Sequence, residues 1–343
     1  MKAFAIDRYK GKLTARNVQE PTLGATDILV AISATSVNPL DIKLRDGEFK
    51  ALLPYRMPLV LGNDVAGRVI RVGRDVRRFK IGDEVYARPA KDRIGAFAER
   101  ICLAEGDAAL KPTNVSMVEA AALPLVSLTA WQVLVDRAKL KRGQKVLVHA
   151  GSGGVGTVAI QLAKHLGATV AATTGTSNVD FVKSLGADVV VDYRKEDFTA
   201  RLSAFDVVLN SLGGDTLEKS LSVLKPGGKL ISISGPPDPA FGREIGASWL
   251  VRQMLGMISS SIRRKAKKAG VDYSFLFMRA DGVQLAEIAQ LVESGAIRPV
   301  IDRVFGFDET PAAMERVASG RSRGKVVIDV AGGGNATSPA LAS

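Results

Sequence analysis

The sequence predicts an α/β protein built from a doubly wound parallel sheet and a second, β-rich barrel-like domain. Three observations carry this. Between Lys145 and about Gly235, short apolar runs alternate with helical patterns, which implies a parallel sheet covered on both faces. The flanking segments are rich in short strand-like runs punctuated by Gly and Pro. At the head of the alternating region, the apolar run Val146–His149 ends in a glycine-rich turn that opens a helical pattern.

In the first 125 residues, strands are expected at 3–6, 28–36, 66–72, 84–87 and 97–103, with turns at Pro21, Gly24, Gly47, Pro58, Gly62, Gly73 and Gly82. Ser116 and Glu119 form a capping box ahead of an apolar run, so a helix starts there, and a second helical pattern runs from Leu128 to Ala138. In the alternating region strands are expected at 146–149, 169–173, 189–192, 207–210 and 230–234. The helices are expected at 157–166, 180–185 and 216–224. Residues 238–280 break the alternation and read as an irregular helical insertion. Asp281, with Gln284 at the third position, caps a helix ending near Gly295. A last helix lies between Asp308 and Gly320, and the small, polar tail 331–343 is expected to be disordered. The domains are therefore 1–125 and 296–330 for the β-rich unit and 126–295 for the sheet unit.

With 343 residues, 46% hydrophobic and 24% charged, the composition is that of a soluble globular protein. One cysteine, Cys102, excludes a disulfide framework and a Cys-rich zinc site, and fits a reducing, cytoplasmic setting. The N-terminus lacks a signal-peptide core, and no apolar run approaches the ~18 residues of a membrane span. The net charge is +12. Because the basic residues are mostly scattered and no nucleic-acid motif accompanies them, no nucleic-acid partner is expected.

The glycine turn is the chemical centre of the chain. Gly151-Ser152-Gly153-Gly154-Val155-Gly156 fits G-x-G-x-x-G in full, between a strand and a helix. That context is what a dinucleotide site needs: glycines let the backbone approach a pyrophosphate, and the helix N-terminus offers free N–H groups and a positive dipole end. Strand ends lining such a crevice carry Thr173–Ser177, Asn210–Gly214 and Ser232–Pro236, which brings Asn210 and Ser234 to it. An NAD site places Asp or Glu about 20 residues on, to bind the ribose 2′-hydroxyl. Here the loop reads Thr173-Thr174-Gly175-Thr176-Ser177-Asn178, with no acid to repel a 2′-phosphate and several hydroxyls to meet one. NADPH is the expected cofactor, held by residues including Thr174, Ser177 and Asn178.

Several segments in order resemble the medium-chain dehydrogenase/reductase superfamily, in its zinc-independent quinone oxidoreductase and enone reductase branch. They are SVNPLDIKLRDG (36–47), LGNDVAGRVIRVG (61–73), GDEVYA (82–87), ALPLVSLTAWQ (122–132), AGSGGVG (150–156), SLGAD (184–188) and LKPGGKLI (224–231). The resemblance spans about residues 1–330. It implies a GroES-like catalytic domain, made from both chain ends, around a Rossmann domain. It implies hydride transfer from NADPH to a quinone or enone.

The resemblance also implies where zinc would sit and why it is absent. Zinc-dependent members carry Cys-x-x-Asp, Gly-His-Glu and a further Cys where this chain has Asn38-Pro39-Leu40-Asp41, Gly62-Asn63-Asp64 and Leu125. No tetrahedral zinc set remains. Both histidines, His149 and His165, are expected to be structural. Without zinc, a hydrogen-bond donor must meet charge developing on the carbonyl oxygen, and Asn38, Tyr273 and solvent are the candidates. Asp41 is expected to orient that loop or serve the nicotinamide ribose, and Thr129 to lie beside the nicotinamide. Tyr193 stands at a family position near the phosphate and is followed by Arg194, while the Lys that the family often has near Asn178 is missing. Phe275 and Phe277 wall a substrate cleft or belong to a core.

A homodimer is expected. Two other activities stay open: a zinc-free alcohol or aldehyde reductase, and a non-catalytic NADPH-binding protein at a membrane surface. Residues 245–268 carry one apolar face (Trp249, Leu250, Met254, Leu255, Ile258, continued by Ile262) and then five basic residues between Arg263 and Lys268. The face covers a cleft or subunit contact, or it makes a weak contact with an anionic membrane. The first is favoured, because Arg252 and Gln253 limit its apolar depth.

Overall fold

The computed structural model describes residues 1–50 and 53–332. They form two compact units: residues 1–128 with 279–332, and residues 129–278.

The first unit opens with β1 (Lys2–Ile6), β2 (Thr14–Asn17), β3 (Asp27–Val37), α1 (Pro39–Asp46), β4 (Leu59–Val60), β5 (Val65–Val72), β6 (Glu84–Ala87), β7 (Arg100–Ala104), β8 (Ala108–Leu110) and α2 (Met117–Ala121). The helix α3 (Pro124–Trp131) then runs across the boundary and continues as a π-helical turn, Gln132–Arg137.

The organising element of the first unit is β3. One of its edges pairs antiparallel with β5, while β7 pairs with its first half. Its second half pairs with a C-terminal strand described below, which ties the two chain ends together. Val30, Ile32, Val65, Val69, Val85 and Leu103 fill the core on one side of this sheet. The β-branched residues suit the pleated, buried surface they occupy. The capping box at Ser116 is present: Ser116 Oγ accepts from Glu119 N at 3.2 Å, and the Glu119 carboxylate accepts from Ser116 N at 2.8 Å.

The second unit contains β9 (Lys145–Val148), α4 (Gly154–His165), β10 (Thr169–Thr174), α5 (Val179–Ser184), β11 (Val189–Asp192), α6 (Phe198–Arg201), β12 (Phe205–Asn210), α7 (Asp215–Lys219), β13 (Leu224–Ser232), α8 (Pro239–Glu244), α9 (Trp249–Ile258), α10 (Ser260–Lys268) and β14 (Asp272–Phe275). The sheet order is β11-β10-β9-β12-β13-β14, and every pairing is parallel. This is the doubly wound dinucleotide-binding order, in which the strand order reverses beside β9. Its central strands β9 and β12 are largely apolar and buried, as expected where both faces are covered.

The chain then returns to the first unit with α11 (Gly282–Glu293), β15 (Ile301–Gly306), α12 (Thr310–Ala318) and β16 (Lys325–Asp329). β16 pairs antiparallel with the second half of β3.

Four expectations are corrected. The boundary expected at Gly295 lies before Arg279, because α11 packs with the β-rich unit. There Tyr86 donates its hydroxyl to Leu285 O, and Thr113 donates to Glu293. The glycine at the start of α11 makes this close, since a Cβ on Gly282 would come within 2.2 Å of Ala108 O. Residues 238–280 are not all helical insertion, because β14 completes the sheet. The apolar face expected along 245–268 is broken at Ser259 into α9 and α10. Leu255 and Ile262 turn inward while Trp249, Leu250, Met254, Met257 and Ile258 stay exposed. Of the tail, residues 333–343 lie outside the described residues, while Ala331 N and Gly332 N are held by Ser33 O and Asp329.

Candidate cofactor crevice and buried polar cluster

Within the second unit, β9 delivers the chain to the glycine turn and α4 starts at Gly154, with Gly153 as its N-cap. The helix N-terminus therefore lies inside the G-x-G-x-x-G sequence, where its unpaired N–H groups face outward for an anion. The two later glycines differ in their surroundings. A Cβ on Gly156 would sit 2.3 Å from Ala150 O, so only glycine fits. A Cβ on Gly153 would meet only Ala150 O, at 3.4 Å; the space beyond belongs to whatever binds there.

The end of β10 gathers the polar groups. Ser152 Oγ accepts from Thr174 Oγ1 at 3.1 Å and from Asn178 Nδ2 at 3.3 Å. Ser177 lies in the turn Thr176–Asn178. Across from Gly175 stand the Tyr193 hydroxyl and Arg194 Nε, 3.3 and 3.5 Å from where a Cβ on Gly175 would be. Tyr193 is largely exposed. This cradle of hydroxyls, an amide and a guanidinium suits a ribose 2′-phosphate. Sequence reasoning missed Asp192, which lies in register beside Thr174. Burial raises its carboxyl, but bonds from the Thr176 hydroxyl and Arg194 N, with the cations of Lys195 and Arg194, bring it below its ordinary value. Its Oδ1 accepts from Arg194 N at 3.1 Å, while Oδ2 is buried without a hydrogen-bond partner.

At the switch between β9 and β12, Asn210 is fully buried and accepts from Leu212 N at 3.0 Å. Its Nδ2 is buried without a protein partner, a donor left for a bound group. Ser234 is half-buried and its N–H points to Ser232 Oγ at 3.3 Å. Thr129 is buried in α3. His149 is structural: Nδ1 and Nε2 each lie 3.0 Å from a hydroxyl, of Thr173 and Ser220. Ser220 gives its own hydrogen to Thr216 O, so Nε2 carries the proton and Nδ1 accepts from Thr173. Burial lowers the imidazole to about 4, so it is neutral at pH 7. His165 is exposed at the end of α4.

One expectation for the second unit changes, and one alternative is favoured over the other. Tyr273 donates its hydroxyl to Pro236 O at 2.6 Å, and burial raises that hydroxyl well above its ordinary value. With its one hydrogen committed, it is not the expected donor. Phe275 is buried edge-on against Phe241 at 5.0 Å, and Phe277 tilts onto the same ring at 6.0 Å, so these aromatics form a packed cluster.

In the first unit, Asn38, Asp41, Asn63 and Asp64, from the segments where the resemblance implies zinc ligands in other members, form a buried polar cluster. Asp64 accepts from Ser36 Oγ (2.6 Å), Asn38 Nδ2 (2.7 Å) and Leu125 N (2.7 Å). Lys325 Nζ, from β16, lies 3.2 Å from Asp64 Oδ2 and 3.2 Å from Val37 O, and also donates to Asn38 Oδ1. Asn38 is therefore held at both ends of its amide, so its expected role as substrate donor is replaced by a positioning one. Asp41 accepts from Asn38 N and Asn63 Nδ2, each at 2.7 Å, which fixes the loop as expected for one of its two roles. Burial raises Asp41 to about 6, against those hydrogen bonds. Arg88 was not singled out from sequence. It is fully buried just after β6, donates to Pro89 O at 2.7 Å, and its Nε has no protein partner. Burial lowers its guanidinium, while Tyr55, Asp64, Asp107 and Asp41 hold it up. Among the described residues, no group of three or more His, Cys, Asp or Glu is arranged to hold a metal ion.

A parallel sheet with a glycine-rich crevice, carried by a chain whose two ends build a β-rich unit, defines a two-domain nucleotide-dependent dehydrogenase. Residues 24–113 match the alcohol dehydrogenase GroES-like domain and residues 185–328 match the zinc-binding dehydrogenase family. The chain belongs to the medium-chain dehydrogenase/reductase family, in its quinone and enone oxidoreductase branch. It is 38% identical to 2-methylene-furan-3-one reductase of Solanum lycopersicum, over 96% of this chain and 79% of that one. It is 34% identical to the chloroplastic NADPH-dependent alkenal/one oxidoreductase of Arabidopsis thaliana, over the same shares, 96% and 79%. The quinone oxidoreductase of Coxiella burnetii superposes with a TM-score of 0.83 at 31% identity, over 96% and 99%.

Proposed function

We propose that the protein is an NADPH-dependent oxidoreductase that transfers a hydride to a quinone or an α,β-unsaturated carbonyl, without zinc. The observation that carries the cofactor choice is the group around Gly175: Tyr193 and Arg194 beside it, and the linked hydroxyls and amide of Ser152, Thr174 and Asn178. The substrate class follows the relatives above.

When bound, NADPH supplies the hydride. The chain's own residues do the rest. The α4 N-terminus receives the pyrophosphate, Arg194 and Tyr193 hold the 2′-phosphate, and Asn210 Nδ2 donates into the crevice. Asp41 and Lys325 hold the Asn38 loop rigid. With Asn38 and Tyr273 engaged internally, the proton that completes reduction comes from solvent. Zinc independence is supported by the donors themselves: amides stand where thiolate and imidazole are needed, and the Lys325 ammonium already takes the Asp64 carboxylate. The discriminating experiment is NADPH oxidation by a panel of quinones, 2-alkenals and saturated aldehydes; turnover of only the saturated aldehydes would favour a simple carbonyl reductase.

The remaining parts of this reading are a cytoplasmic setting, a homodimer and a weak contact with anionic membranes. The single buried thiol, Cys102, supports the first. The position of β14 supports the second: among the described residues it is the last strand of the parallel sheet, the place where a second copy would add a strand. The basic α9–α10 segment supports the third.

A further inference from the structure

We infer that α9 and the hollow beside it are a docking surface for an anionic phospholipid bilayer. This deepens the membrane contact just proposed by naming its residues, and it is independent of the substrate assignment. No helix among the described residues is long and apolar enough to cross a membrane, so any contact lies at the interface.

The apolar element is unusual for its exposure. Trp249 is 61% exposed, Leu250 71% and Met257 70%, with Met254 and Ile258 beside them on the same helix. Five large apolar side chains on one helix make a contiguous patch of the kind that marks an interaction site. The helix stands firm while presenting them: Ser248 caps its start, and Leu255 is buried beneath it. Tryptophan and methionine suit the boundary between headgroups and acyl chains, where an amphipathic ring and a flexible thioether both find partners.

The charge around this patch selects the partner. A hollow of about 630 Å³ beside α9 is lined by Trp249 and Met257 together with Arg243, Arg252 and Arg263. Arg252 Nε is buried there without a partner. From Pro239 to Val271 there are seven basic residues, and Glu244 is the one acid. Glu244 is committed to Arg137, and of the seven cations Lys265 is committed to Glu218. Apolar side chains flanked by guanidinium groups match a surface that is apolar inside and phosphate-rich outside. A second copy of this chain would bring the same positive charge to the same face and be repelled, so charge complementarity favours the bilayer over self-association here.

The test is co-sedimentation of the full-length protein with vesicles of phosphatidylcholine alone and of equimolar phosphatidylcholine and phosphatidylglycerol. Binding to the anionic vesicles is expected to exceed binding to the neutral ones by at least about tenfold and to fall with added salt. Trp249→Ser with Leu250→Ser and Met257→Ser, and separately Arg263→Gln with Arg264→Gln and Lys267→Gln, should each abolish it. Both variants should keep the wild-type NADPH affinity and turnover of a water-soluble enone, which shows that they fold. Absence of binding, or binding unaffected by the serine variant, overturns the inference. So does loss of a dimer in the serine variant by analytical ultracentrifugation, which assigns the face to a second copy.

Discussion

Lys325 Nζ and Asp64 Oδ2 lie 3.2 Å apart in the interior of the first unit, beside Asn38 and Asn63, where the family resemblance implies metal ligands in zinc-dependent members. An ammonium from the first residue of β16 thus meets a carboxylate 261 residues earlier in the chain. The pair fixes the Asn38 loop, because Asn38 bonds to both partners. Removing one member of a buried pair leaves the other charged and uncompensated, which costs roughly 3–5 kcal/mol. Lys325→Met should therefore lower the stability of the first unit by about that much in a chemical denaturation experiment. Adding Asp64→Asn to Lys325→Met should restore a large part of the loss. If Lys325→Met is as stable as wild type, the pair does not organise the loop.

The protein should carry no stoichiometric zinc and should keep its activity after treatment with chelators. Elemental analysis checks this; one zinc per chain would require ligands other than Asn38, Asn63 and Leu125.

The glycine turn should respond differently at its two positions. Gly153→Val should lower NADPH affinity while leaving thermal unfolding near wild type, because the structure leaves room for the side chain where the cofactor would lie. Gly156→Val should lose affinity and also destabilise the second unit by about 1–3 kcal/mol or more, since its Cβ meets backbone. Calorimetry and a fluorescence titration on both variants separate the two effects.

Two buried groups should give opposite pH dependences. Asp41 is raised from 3.8 to about 6, so the native state holds a proton that the unfolded chain has already lost. Its contribution to stability falls as pH rises between these values, and the cost is complete above about 6. His149 is lowered from 6.5 to about 4, so the unfolded chain takes up a proton that the native state refuses. Its contribution falls as pH drops through the same region. Each effect is on the order of 3 kcal/mol. Denaturation of Asp41→Asn and His149→Gln across pH 4 to 7 should show wild type losing ground to the first variant as pH rises, and to the second as pH falls. Parallel curves for wild type and variant would contradict the assignment.

The parts of this molecule written in local pattern were legible in the sequence. The strand, glycine turn and helix at 145–166, the parallel alternation, and the caps at Ser116 and Asp281 all depend on neighbours in the chain. What was missed depends on distant partners. Lys325 joins Asn38 across 287 residues, and nothing local marks that lysine as interior. Tyr273 looked free because Pro236, which takes its hydroxyl hydrogen, lies across a helical segment. β14 was hidden because it is only four residues long and follows directly on the helical patterns of α9 and α10, while its pairing is supplied by β13. Asp192 escaped notice because it ends β11, one strand away from the loop it adjoins. Arg88 sits in an apolar run, and its full burial is a property of the packed sheet alone.

The central claim is a phosphate-selecting cofactor site serving hydride transfer, and it is tested most directly at Arg194. Steady-state reduction of a 2-alkenal or a quinone should proceed with NADPH and much more weakly with NADH. Arg194→Ala should raise the Kd for NADPH about ten- to a hundredfold, the value of a charge-assisted bond to phosphate, while leaving NADH binding unchanged. Equal affinity of the wild type for NADH and NADPH, or an Arg194→Ala variant that binds NADPH as wild type does, would contradict the account.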